Sequence, residues 1–190
     1  MTEAAHAMGD AHERVPHLAA VLYRATTDID GLMARFLAEL AANRHIVAGV
    51  VQVAVPGRVC GPDTPMLLRD VASGEVLTIS QDLGCGAQSC RLDSAALAEA
   101  AMRVRNAIED DRVSLVVVSK FGKEEAAGRG LRHELALAAT NGRPVLTTLR
   151  RNLTDDWVAF TGDPSTILEP TLPALRAWWA SVAPQAACAA

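Results

Sequence analysis

Membrane-length apolar stretches are missing from this sequence: no run approaches the roughly 18 residues that a spanning helix needs. An excess of positive charge is missing as well. Eighteen basic against 22 acidic residues leave a formal net charge of −4, which argues against general nucleic-acid affinity, because that rests on clustered cations. The amino-terminal stretch carries Glu3, Asp10 and Glu13 without a long apolar core, so it lacks the form of a signal peptide. These absences predict a cytoplasmic protein with neither a membrane nor a nucleic-acid partner. Cysteine is sparse, with four in 190 residues. In that compartment they read as thiols or metal ligands rather than structural disulfides.

What is present is enough apolar content, 50% against 21% charged, for one substantial core. The expected organisation is a flexible leader over 1–17, one α/β domain over 18–182 with an insertion at 55–93, and a flexible tail over 183–190. His6, His12 and His17 fall in a leader without periodicity, so they read as part of a disordered arm rather than a metal site. Leu18 to Tyr23 reads as a buried parallel strand. Ile29, Leu32, Met33, Phe36, Leu37 and Leu40 then fall at helical spacing, with Thr27 or Asp28 available as a cap. His45 to Val53 returns to a β-rich run, giving a strand–helix–strand unit with a right-handed crossover. The turn inside that unit, Arg24 to Asp30, has neither the glycines nor the Lys-Ser/Thr pair of a phosphate-binding P-loop. Asp28 and Asp30 there would repel a triphosphate.

Within the insertion, Met66 to Val71 and Val76 to Ser80 flank Ala72 to Glu75 as a β-hairpin. Cys60, Cys85 and Cys90 also lie here, the last two as C-x4-C. Three thiolates would suit zinc or another soft metal; ordinary or redox-active thiols are the alternative. Asp93 caps the next helix, with Leu97, Ala101, Val104 and Ile108 on its stripe.

The chemistry concentrates in the segment from Ser114 to Glu134. Leu115 to Val118 is a strand buried on both faces. It breaks into Ser119-Lys-Phe-Gly-Lys123, then Gly128 and Gly130, and helical pattern resumes at Leu131. Lys120, Lys123 and Arg129 gather where a strand ends and a helix begins, the edge at which open α/β sheets bind ligands. Helix-start N–H groups favour anions, and Gly128 and Gly130 would let backbone approach one. Glu125 counts with Lys120, Lys123, Gly128, Arg129 and Gly130 among the ligand-binding candidates, and Glu124 or Glu125 offers acid–base function. Farther on, the helix from Leu131 stops at Asn141-Gly142, and Pro144 to Leu149 is another buried strand. Trp157, Val158 and Phe160 suit a short helix or a strand. Pro170 to Val182 is a closing helix with Trp178 and Trp179 as packing anchors.

Ile79-Ser-Gln-Asp-Leu-Gly84, Cys90-Arg-Leu-Asp93 and Lys120-Phe-Gly-Lys-Glu-Glu-Ala126 with Gly128-Arg-Gly130 resemble a bacterial family of unknown function, numbered 2478, across most of residues 18–180. That family is in turn distantly similar to small P-loop nucleoside-triphosphatases of the THEP type, which carry a cysteine-bearing β insertion and an Asp-Glu-Ile-Gly-Lys-like segment at the Walker B strand. The resemblance implies a three-layer, P-loop NTPase-like α/β fold with a largely parallel sheet and a small β-hairpin insertion. Some family members carry a molybdenum-transport ATPase label, a hint of metabolic context. The departures bear on chemistry. Ser119 and Lys120 replace the acidic pair that holds magnesium and orients water. The expectation is therefore a degenerate scaffold that binds an anionic small molecule, a nucleotide or a molybdate-like oxyanion, without conventional hydrolysis. The alternatives are a divergent nucleotide hydrolase or transferase, cysteine-based metal or redox handling, and a module for a protein partner or homo-oligomer.

Overall fold

The computed structural model describes residues 17–55, 64–81 and 92–183. The chain opens with β1 (Leu18–Tyr23), α1 (Ile29–Ala42) and β2 (Val47–Val53). Asp28 begins α1 by accepting the Gly31 N–H at 3.0 Å, as the cap position requires. Ile29, Leu32, Met33, Phe36 and Leu40 form its buried stripe. The hairpin follows as β3 (Leu67–Asp70) and β4 (Val76–Thr78), then α2 (Ser94–Glu109), β5 (Leu115–Val118), the single turn α3 (Lys123–Ala126), α4 (Arg132–Thr140) and β6 (Val145–Arg150). The chain closes with α5 (Thr154–Thr161), β7 (Ile167–Leu168) and α6 (Leu172–Val182).

Among the described residues, one seven-stranded sheet runs in the order β4-β3-β2-β5-β6-β1-β7. The pairs β2–β5, β5–β6, β6–β1 and β1–β7 are parallel, whereas β3 is antiparallel to β2 and β4 to β3. The side-chain period of two distributes the strands between two cores. Leu115 and Val117 of β5 join Phe36 of α1 and Leu175 of α6 on one face. Val116 and Val118 join Val104 of α2, Leu135 of α4 and Trp157 of α5 on the other. This is the expected three-layer α/β arrangement.

The hairpin is not a separate appendage. It extends the main sheet, and α2 fastens it there: Arg103 meets Glu99 at 2.7 Å, Glu75 at 2.9 Å and Asp70 at 3.5 Å. Asp70 in turn accepts the N–H groups of Ala72 and Ser73, which fixes the hairpin turn. The Trp157–Phe160 stretch resolves as helix. The two-residue β7 has no sequence signature, being too short for any period to register. Of the leader, only His17 lies among the described residues, where its carbonyl accepts the Val145 N–H at 2.7 Å. His6, His12, residues 184–190 of the tail and all four cysteines lie outside them, so the structure carries nothing on the thiolate site of Cys60, Cys85 and Cys90.

One glycine holds the centre of the sheet. Gly49 of β2 has φ +111°, and a Cβ built there would stand 2.1 Å from the Val117 carbonyl oxygen of β5. Neither strand can retreat, since both are hydrogen-bonded on both sides. Gly49→Ala is therefore expected to cost at least about 3 kcal/mol, combining backbone strain with overpacking. Urea unfolding measures this; a loss below about 1 kcal/mol, the ordinary range for substitutions, would contradict the β2–β5 register.

Candidate functional site

The carboxyl ends of β2, β5 and β6 open into a cleft of about 750 Å³. Leu68, Ile79, Leu92 and Leu97, from the hairpin, its flank and α2, give one apolar wall; Phe121, Leu131 and Leu153 give another. Set into this apolar surround are Gln52 at the end of β2, Lys120 just past β5 and Arg150 at the end of β6, with Lys123 and Asn152 beside them. A second depression, of about 600 Å³, lies at the opposite edge of the sheet beside Glu109, Asn141 and Arg143. Its cation is engaged, because Arg143 donates to the Ile108 carbonyl at 3.0 Å and pairs with Asp111. The carboxyl-edge cleft is the better candidate on topology, and its leucine-rich walls suit an organic ligand.

The loop that carries the lysines is anchored from below. The Phe121 N–H donates to the Thr148 carbonyl at 3.0 Å and to Thr147 Oγ1 at 3.1 Å, while Thr147 Oγ1 donates to the Val118 carbonyl. Ser119 Oγ and Thr148 Oγ1 lie 3.3 Å apart, both buried. The Phe121 ring meets Trp157 edge-on at 5.0 Å and stacks on Phe160 at 5.6 Å. The Arg132 guanidinium covers the Phe160 ring at 4.3 Å. Each such contact is worth a fraction of a kcal/mol to about 2 kcal/mol, and together they fix where Lys120 leaves the sheet.

Glu125 does something the sequence does not disclose. Its buried carboxylate accepts the Gly122 N–H through Oε2 at 2.9 Å and the Leu131 N–H through Oε1 at 3.0 Å. Those donors lie at the starts of α3 and α4, where an external anion was expected. The chain's own carboxylate takes that place, and the glycine reading changes accordingly. At Gly130, with φ +61°, a Cβ would stand 2.1 Å from Glu125 Oε1, so the missing side chain makes room for that carboxylate. Gly128, with φ +83°, faces open space and simply turns the chain.

Lys120, Lys123, Glu125 and Gly130 thus line one cleft, but Arg129 and Gly128 do not. Arg129 instead donates to Glu124 Oε2 at 2.8 Å with an exposed side chain. That hydrogen bond holds the Glu124 carboxyl below its ordinary pKa. The structure does not bring Arg129 together with Lys120 and Lys123; among the described residues, Arg150 is the third cation lining the cleft. Arg150 also lies over the Tyr23 ring, 6.0 Å from its centroid. The rule that singles out Lys120, a polar residue at the carboxyl end of a buried apolar run, also applies to Arg150, the last residue of β6.

The turn after β1 carries acid where a P-loop carries its lysine. Asp28 is committed to the first turn of α1. The Asp30 carboxyl is pushed up by partial burial and by Asp28, while the charge of Lys120 pulls it down. An acid on the α1 side and a lysine on the β5 side reverse the charges of a magnesium–triphosphate site. Among the described residues, no group of three or more His, Cys, Asp or Glu side chains could hold a metal ion, and no helix is long and apolar enough to cross a membrane.

A largely parallel sheet covered on both faces, with its cleft at the carboxyl edge, defines the class as a three-layer α/β protein. The solution structure of a human cancer-related nucleoside triphosphatase shares that fold, with a TM-score of 0.53 over 70% of this chain and 75% of its own, at 18% identity. The chain belongs to the family described as protein of unknown function (DUF2478), whose model matches residues 18–178. It is also 41% identical over 162 residues to the molybdenum import ATP-binding protein ModC 2 of Bradyrhizobium diazoefficiens. That match takes in 85% of this chain but only 18% of the relative's length.

Proposed function

We propose that this chain binds an organic anion of nucleotide size in the carboxyl-edge cleft, without a magnesium-bound triphosphate and without hydrolysing it. The observation that carries this reading is the placement of Lys120 and Arg150, at the ends of adjacent strands, in a leucine-walled cleft that Glu124 and Glu125 also line. The cations meet the charge; the leucine-rich wall meets an organic body. A cleft of about 750 Å³ lies within the range of roughly 300–1,000 Å³ typical of small-molecule sites. A bare tetrahedral oxyanion would fill little of it. The nucleoside triphosphatase and the ATP-binding relative give nucleotides priority among candidate ligands.

The relative's name favours one other reading, binding of a molybdate-like oxyanion at the same cations. Thermal shift with ADP, GDP, AMP, phosphate, molybdate and tungstate separates the two. The nucleotide reading expects the nucleotides to raise the melting temperature in EDTA while the inorganic anions act weakly. A shift from molybdate or tungstate alone would favour the oxyanion.

Hydrolysis supplies a further test. With Lys120 in place of an acid and no P-loop lysine before α1, magnesium has no carboxylate at the end of β5 to order its shell. Purified protein is expected to show no magnesium-dependent ATP or GTP turnover above background in a phosphate-release assay. Robust turnover, abolished by Lys120→Ala, would refute the non-hydrolytic reading.

A further inference from the structure

We infer that Glu125 is a positioning residue for anion binding, and that its carboxylate works as an internal clasp holding the lysine-bearing loop in its binding geometry. The inference rests on the proposed anion site and adds a residue whose charge has the wrong sign for direct contact. Glu125 is buried, and its two oxygens close a bridge from Gly122 N–H to Leu131 N–H, at 2.9 and 3.0 Å. Between those donors lie Lys123, α3 and the glycine-bearing turn. Lys120 precedes Gly122 by two residues, so one side chain fixes the chain on both sides of Lys123 and just past Lys120.

Two further contacts tighten the same bridge. Arg132 donates from Nη1 to the Glu125 carbonyl at 3.0 Å while its guanidinium lies over Phe160. Gly130 leaves the space that the carboxylate fills. A carboxylate accepting two N–H groups, one buried and one partly buried, forms charge-assisted bonds that a neutral side chain cannot reproduce. In Glu125→Gln, the amide oxygen can serve one donor, but the amide nitrogen then faces the other N–H. The clasp opens on one side.

The sign of the effect separates positioning from simple electrostatics. Glu125 lines the cleft, so neutralising it removes a negative charge near the proposed anion, and on charge alone should strengthen binding. Positioning predicts the opposite. Nucleoside diphosphates (ADP, GDP, CDP and UDP) are titrated calorimetrically in EDTA against wild type, Glu125→Gln, Lys123→Ala and the double variant, and the tightest is followed. Expected is at least a tenfold loss in Glu125→Gln, with faster amide exchange at Gly122 and Leu131. Lys123→Ala should then add less than threefold in that background, because the lysine is already misplaced.

Should Glu125→Gln fail to fold, Gly130→Ala displaces the carboxylate without altering it and is expected to lose binding likewise. Unchanged or tighter binding in a folded Glu125→Gln protein would overturn the inference and leave the anion site standing. So would full additivity of the two substitutions. If wild type binds none of the diphosphates, the site reading fails and the clasp's role in binding fails with it.

Discussion

Lys120→Ala is expected to weaken nucleoside diphosphate binding by about 2 kcal/mol or more, some thirtyfold, while leaving the fold intact. The magnitude follows from its position. Lys120 is half-buried and leaves the end of a strand whose four residues are fully buried, so its charge acts where water screens it least. Lys123 is exposed on α3, and its truncation should cost less. Arg129→Ala is the informative contrast. Although only nine residues away in sequence, Arg129 is paired with Glu124 on an exposed surface, and exposed pairs are typically worth about 0–1 kcal/mol. Its loss should change neither affinity by more than about twofold nor stability by more than about 0.5 kcal/mol. Isothermal titration on the three variants measures the ordering. Equal losses at Lys120 and Arg129 would return the site to the glycine turn.

The largest expected loss of stability is at Trp157. Its ring is completely buried between Phe121 and Phe160, and its Nε1 donates to Thr166 Oγ1 at 2.7 Å. Trp157→Ala removes the biggest fully buried side chain of the described residues, and large aromatic truncations cost about 3–5 kcal/mol. The consequence reaches the cleft, because Phe121 is fixed on one side by Thr147 and Thr148 and on the other by this cluster. Urea unfolding should show the loss, and the surviving folded protein should bind the diphosphate more weakly. Trp157→Phe, which refills most of the volume, should recover the greater part of both. A Trp157→Ala protein destabilised by less than about 1 kcal/mol would mean that the aromatic cluster does not support the loop.

Much of the fold is legible in the sequence because its strands are continuous apolar runs and its helices carry clear stripes. Leu18–Tyr23, Leu115–Val118 and the run ending at Leu149 declare themselves as buried parallel strands. The cap at Thr27 or Asp28, which the structure assigns to Asp28, and the hairpin around Ala72 to Glu75 follow from local rules. What escapes is whatever depends on partners distant in sequence or on very short elements. β7 exists because β1 offers it an edge. The hairpin joins the main sheet because β3 finds β2, a pairing that its own alternation cannot specify.

The site divides the same way. Lys120 and Lys123 are legible because a buried strand stops abruptly in front of them. Arg150 follows the same rule, but its nearness to Lys120 depends on β5 and β6 being neighbours. Glu125 reads as a ligand-binding candidate, and Glu124 or Glu125 as an acid or base, whereas its geometry makes Glu125 a backbone acceptor. Gly128 and Gly130 look alike in sequence and differ in space. One only turns the chain, and the other makes room for a carboxylate. Arg129 stands among cations in the sequence, yet a salt bridge takes it to the surface.

The most direct test of the central claim is calorimetric titration of the wild-type protein with ADP and GDP, first in EDTA and then in magnesium. Expected is saturable binding of at least one of them in EDTA, not strengthened by magnesium, and lost in Lys120→Ala. Absence of binding to either nucleotide, or binding that appears only with magnesium and survives Lys120→Ala, would contradict a metal-independent anion site at the carboxyl edge of β5.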